Sequence, residues 1–255
     1  VRLFITTLPH VSPTVLSSDS VRKSAFQRRN CMSEDLWGLT LLQHTNILSA
    51  ETDKRGDEMN EVMKEQKETF INLLRSTERD GIDNLIEYLD TKTDFFTAPA
   101  SSKFHNNFEG GLLSHCLNVY ANFKKLLEMK NIELPEDSII ITSLCHDLCK
   151  TNNYVKEQRN RKVDGKWESY DFWGTVKSPA CPLPHSSRSI RLIRTFIPLK
   201  FEEELIIFYH MGPFGGEDFE YRNLLQDVNT RYPASLLFYT ADLISSYLDE
   251  EKVDN

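Results

Sequence analysis

The strongest constraint on this chain is a carboxylate placed where carboxylates are rarely tolerated. Asp242 lies within Leu236-Leu237-Phe238-Tyr239-Thr240-Ala241-Asp242-Leu243-Ile244. A charged group amid that much apolar surface is costly unless it is paired or coordinated. Any fold the chain adopts must therefore bring Asp242 partners. Ser245 and Ser246, at i+3 and i+4, are small enough to leave room beside it. An ordinary salt-bridge partner is the plain alternative to a ligand role.

Two other stretches raise the same question. His115 has Leu112 at i−3 and Val119 at i+4, so its imidazole points into the protein. A buried histidine needs partners for its ring nitrogens, and for a lone one a backbone carbonyl is the commoner answer. His146-Asp147 follows the apolar run Ile139–Leu144 near the C-terminal end of a predicted helix. Both can serve one ion if it lies beside that helix. Lys150, at i+4 from His146 and i+3 from Asp147, projects toward the same place. Protonated, it has no lone pair to offer a metal but suits a phosphate oxygen. A carboxylate beside two imidazoles suits Mn, Fe, Co or Zn better than Ca or Mg.

The surrounding pattern is helical. Phe70, Ile71, Leu73 and Leu74 form one apolar stripe, and Ile82, Leu85, Ile86 and Leu89 another. Gly110-Gly111 precedes a predicted helix over about 112–130. Pro135-Glu136-Asp137 opens the next, expected to run to about Lys150. Further helices are expected over about 187–196, 201–210 and 233–250. Between them, Tyr154–Lys162 and Trp167–Val176 flank Asp164-Gly165, a dipeptide suited to a tight turn. The expected fold is mainly α, with a β-hairpin inserted at about 154–176. Residues 1–58 differ: Val11–Asn30 is rich in Ser and Arg, loosely like an organellar transit peptide. They are left unassigned, as a segment disordered or foreign to the fold, with residues 59–255 as the domain.

The formal net charge of −8 argues against a duplex-binding protein but permits a small phosphorylated substrate on a local basic patch. Five cysteines without a regular framework point to reduced thiols and a cytoplasmic setting. No apolar run approaches the roughly 18 residues needed to span a bilayer.

Phe108-Glu109-Gly110-Gly111-Leu112-Leu113-Ser114-His115, then Cys145-His146-Asp147-Leu148-Cys149-Lys150, then Asp242, together resemble the HD superfamily of metal-dependent phosphohydrolases. The likeness spans about 104–249. It is closest to the HD domain of bacterial 3′-5′ exoribonucleases and to uncharacterised bacterial and phage HD proteins. The resemblance implies an HD helical bundle and a metal set of His115, His146, Asp147 and Asp242. His185 and His210 stand where dinuclear subfamilies carry further ligands. The chain departs from that group in Pro184-His185-Ser186-Ser187-Arg188-Ser189, where Gly-His-Gly-Glu-Lys-Ser is the pattern; Arg188 replaces the lysine.

The expected cofactor is one or two divalent ions, Mn or Fe first, with Zn, Co or Ni also suited. Asp147 is the natural bridging carboxylate, and Asp147 with Lys150 would carry the chemistry. Lys150, Arg188 and His105, in the loop before His115, would meet the substrate. The hairpin cations Lys156, Arg159, Arg161, Lys162 and Lys166, with Arg188 and Arg191, would form a basic mouth or simply a solvated face. Cys145 and Cys149 are read as packing residues, and Gly215-Gly216 as a turn. The expected activity is hydrolysis of phosphate esters: a nucleotide, a cyclic nucleotide or a short RNA. A degenerate HD module that binds metal or nucleotide in a regulatory role is the alternative.

Overall fold

The computed structural model describes residues 61–176 and 182–251. The expected extension over 1–58 lies outside them. Residues 61–76 are helical (α1), followed by α2 (Ile82–Lys92), α3 (Gly111–Lys130) and α4 (Glu136–Cys145). The hairpin β1 (Tyr154–Val163) and β2 (Lys166–Thr175) comes next, then α5 (His185–Ile193), α6 (Phe201–Phe208), α7 (Phe219–Arg231) and α8 (Pro233–Ile244). The fold is mainly α with one hairpin, as the periodicity predicts.

The two stripes read from the sequence face inward. Phe70, Leu74, Leu85 and Leu89 are fully buried with Phe95, Leu112, Ile141 and Leu144 in one core cluster. Val119, Phe123, Leu127, Ile206, Phe238 and Ala241 form a second. Helix α3 serves both: Leu112, Leu113 and Cys116 enter the first, Val119 and Phe123 the second. His115 sits on the same helix, 1% exposed, so two apolar clusters hold its backbone rigid.

The glycine pair before α3 has a steric cause. Gly110 has φ +84°, a region L side chains rarely adopt, and a Cβ on Gly111 would lie 2.0 Å from the Asn106 carbonyl oxygen. The pair lets the 101–107 loop press against the start of α3. That loop carries His105.

Helix α4 ends at Cys145, five residues short of the expected Lys150. Asp147, at φ −108° and ψ 17°, has left helical geometry, and a short 3₁₀ turn covers Leu148–Lys150. The apolar run from Ile139 to Leu148 hides this break, because Leu148 is buried in the same core as Leu144. Other boundaries differ: α5 runs over His185–Ile193, two residues earlier at its start and three at its end than expected. Helix α6 stops at Phe208, two residues before His210, and α8 gives way at Ser245 to a π-helical turn over Ser245–Asp249. Helix α7 was not expected: only Leu225 and Val228 of it are buried, too thin a stripe to stand out. Its N-cap is clear in the structure, with Asp218 accepting from the Tyr221 N–H at 2.7 Å.

In the hairpin, Asp164 (φ 49°) and Gly165 (φ 84°) both adopt left-handed geometry, the requirement of a type I′ turn. Tyr154 pairs with Thr175 and Val163 with Lys166. Most of its length is exposed, whereas Tyr154 at its base is half-buried. The Tyr154 hydroxyl reaches the Ala100 carbonyl at 3.4 Å.

Candidate metal centre

The break after α4 aims Asp147 at four histidines from four parts of the chain. Its Oδ2 lies 3.6 Å from His115 Nε2 and 3.4 Å from His146 Nε2. Its Oδ1 lies 2.7 Å from His185 Nε2 and 3.8 Å from His210 Nε2. Asp242 joins on the first side, with Oδ1 3.4 Å from His115 Nε2. The structure thus brings together all six residues expected as ligands. Two overlapping groups, His115–His146–Asp242 and His146–Asp147–His210, each have donor atoms within 4.8 Å of one another, close enough to hold an ion.

The outer nitrogens are equally ordered. His146 Nδ1 lies 2.9 Å from the Ser143 carbonyl and His210 Nδ1 2.6 Å from the Ile207 carbonyl. His115 Nδ1 lies 2.9 Å from Glu250 Oε1. Carbonyls and carboxylates only accept, so Nδ1 carries the proton in each ring and, in the neutral ring, Nε2 keeps its lone pair. Those lone pairs face inward: His115 Nε2 and His146 Nε2 are 3.3 Å apart. Two acceptors facing each other beside two carboxylates suit a cation between them. Imidazole and carboxylate donors fit a divalent transition metal.

The electrostatics agree. Burial alone would raise the Asp147 carboxyl, but Lys150, His146 and His185 outweigh it and hold the group well below the usual carboxylate range. Burial would lower His185, yet Asp147 holds it up at about 10. His115 is likewise raised against burial, by Glu250 and then Asp242. His210, buried and next to His146, is pushed down to about 3. The upward shifts answer the negative charge of the carboxylates, and a divalent cation would answer it more strongly.

Access is uneven. His115, His146 and His210 are buried, whereas the side chains of His185, Asp242 and Lys150 are 30%, 18% and 16% exposed. Lys150 Nζ lies 2.7 Å from Asp147 Oδ2. Arg188 follows His185 by one turn of α5; its Nε is buried without a hydrogen-bond partner, and no carboxylate among the described residues pairs with it.

The structure adds contacts around the site that the sequence does not show. His105 lies near the site, but its Nδ1 is 2.5 Å from Glu250 Oε2. Cys149 does more than pack: its Sγ is 3.2 Å from His185 Nδ1, whereas Cys145 is a core residue. Two of the five hairpin cations are answered by carboxylates within the hairpin. Lys156 pairs with Asp171 at 2.9 Å, and Arg159 pairs with Glu157 at 3.3 Å and stacks 3.5 Å from the Phe172 ring centroid. Glu250 was missed altogether. It is 7% exposed, and hydrogen bonds from His105 and His115 overcome burial to bring its carboxyl down to about 2.

No family model matches the chain, and no solved structure matches it. A curated relative, the dihydroneopterin 2′,3′-cyclic phosphate phosphodiesterase of Methanocaldococcus jannaschii, is 35% identical over 89 residues. The match covers 33% of this chain and 34% of the relative, so the chain spans about a third of that protein's length. Among the described residues, no helix is long and apolar enough to cross a membrane.

Proposed function

We propose that this chain is a metal-dependent phosphohydrolase of the HD type that cleaves a small phosphate ester, a nucleotide or cyclic nucleotide being the substrate class. The observation that carries the reading is Asp147, with one oxygen among His115, His146 and Asp242 and the other between His185 and His210. His115, His146, Asp147 and Asp242 would hold one Mn or Fe ion, and Asp147, His185 and His210 a second. Ions so held lower the pKa of bound water toward about 7 and polarise phosphoryl oxygens, supplying a nucleophile at neutral pH.

The remaining steps fall to side chains. Lys150, fixed against Asp147 and partly open to solvent, would offer its ammonium to a phosphoryl oxygen. Arg188, one turn after His185 on α5 and with its Nε unpartnered, would take another oxygen with its planar fork. The apolar floor around His146, which packs against Phe238 at 5.4 Å between ring centroids, keeps bulk water off the buried face. The named relative supports a phosphodiester substrate in particular. The net charge of −8 gives long RNA little to bind.

The test is hydrolysis by the full chain loaded with Mn or Fe, across 2′,3′-cyclic nucleotides, mononucleotides, cyclic dinucleotides and short RNA. The expected result is turnover of a cyclic or linear diester that chelation abolishes. Bound metal with no turnover anywhere in that panel would instead favour a regulatory module.

A further inference from the structure

We propose that Glu250 is the positioning residue of this centre, fixing the His115 imidazole through its outer nitrogen while His105 secures the other carboxylate oxygen. The inference rests on the metal-binding reading above and extends it to two residues that touch no proposed ion.

The reason lies in where each histidine sits on its helix. His146 and His210 follow helix ends, where backbone carbonyls lack intrahelical partners and can accept from Nδ1. Both take the carbonyl three residues back, that of Ser143 or Ile207. His115 lies inside the 20-residue helix α3, where the neighbouring carbonyls are spent on the helix itself. Its Nδ1 therefore needs a side-chain acceptor from another element. Glu250 Oε1 fills that place at 2.9 Å, with Asn118 Nδ2 at 3.4 Å on the same oxygen. Oε2 receives His105 Nδ1 at 2.5 Å.

The chain goes to some length to deliver this carboxylate. The wider π turn over Ser245–Asp249 ends with the Glu250 N–H on the Ser245 carbonyl at 3.1 Å. Asn122 Nδ2 ties that turn to α3 through Ser245 Oγ at 3.0 Å and Asp249 Oδ2 at 2.7 Å. The Asn106 N–H, one residue beyond His105, donates to the Glu251 carbonyl at 2.9 Å. Two separate segments are thus clamped around one carboxylate whose side chain is fully buried. A carboxylate on the outer nitrogen fixes the tautomer and ring plane and makes the inner nitrogen a better donor to a cation.

The experiment is calorimetric titration of Mn into ion-free full-length protein, alongside the thermal midpoint with and without Mn. Glu250→Ala should weaken Mn binding by about 10–100-fold and shrink the Mn-induced rise in midpoint. His105→Ala should show a smaller loss. Glu250→Gln, close in shape, keeps folding separable from function: its amide gives one acceptor to two ring donors, so Mn binding should still weaken while the ion-free midpoint holds. Mn affinity at the wild-type level in Glu250→Gln and in any soluble Glu250→Ala would overturn the proposal. Wild-type protein that binds neither Mn nor Fe would overturn the metal reading itself, and this inference with it.

Discussion

Helix α4 has a charge cluster built around a buried carboxylate at each end, and the two are built on opposite plans. At its start, Arg79 reaches Asp137 at 2.8 Å and also pairs with the fully buried Glu203. Lys200 Nζ adds a second cation at 2.8 Å from Asp137. Ser138 Oγ and the Lys200 N–H donate to the two Glu203 oxygens at 2.7 and 2.8 Å. Two cations face two carboxylates, and the acceptors have donors. At the other end, Asp147 and Asp242 stand among the Nε2 atoms of His115, His146 and His210, whose ring protons are committed to outer acceptors, with Lys150 and His185 as the cations against Asp147. The first cluster is closed on itself. The second has acceptors left over. Buried charge alone therefore says little about function; the mismatch between donors and acceptors marks a place for a ligand.

The contrast can be broken in several ways. The largest effect is expected from Asp147→Ala, which should take metal content from about two ions to none and hydrolysis to background, because both groups share this carboxylate. Metal analysis of the purified variant checks it. Next, Arg79→Ala should cost about 3–5 kcal/mol in a denaturant titration, since the buried Glu203 loses its close cation and keeps only Ser138 Oγ, the Lys200 N–H and Lys200 Nζ at 3.9 Å. That variant should still carry its full complement of ions when folded; ion loss would mean the two ends of α4 are not independent. Lys150→Ala should keep its ions and lose hydrolysis by about 10²–10³-fold, the cost of one charge-stabilising donor. Loss of metal in that variant would assign Lys150 to holding the site together. The smallest effect is expected from Lys156→Gln combined with Arg159→Gln. Each removes a solvent-screened surface pair that adds little to stability, and KM for a small diester should shift by no more than about threefold. A larger rise in KM would restore the hairpin as a basic mouth.

Much of this was legible because apolar neighbours made polar residues conspicuous. His115 between Leu112 and Val119, and Asp242 between Ala241 and Leu243, cannot be solvated faces of their helices. Asp164-Gly165 announced the hairpin because few dipeptides accept two positive φ values. Glu250 gave no such signal. In Asp249-Glu250-Glu251 it reads as a solvated helix end, and its burial depends on the π turn and on the distant pairing with His105 and Asn106. The break at Cys145 was hidden for the opposite reason, since the apolar pattern continues through Leu148 and only tertiary packing stops the helix. Cys149 looked like core because a thiol in an apolar run usually is; its contact with His185 requires α5 to dock against the 3₁₀ turn.

The most direct test of the central claim is a count of ions per chain by elemental analysis under saturating Mn or Fe. The two-sided placement of Asp147 predicts about two ions in the wild-type protein, and about one in His185→Ala and in His210→Ala, with most activity lost in both. One ion in the wild-type protein, with both histidine variants fully active, would contradict it.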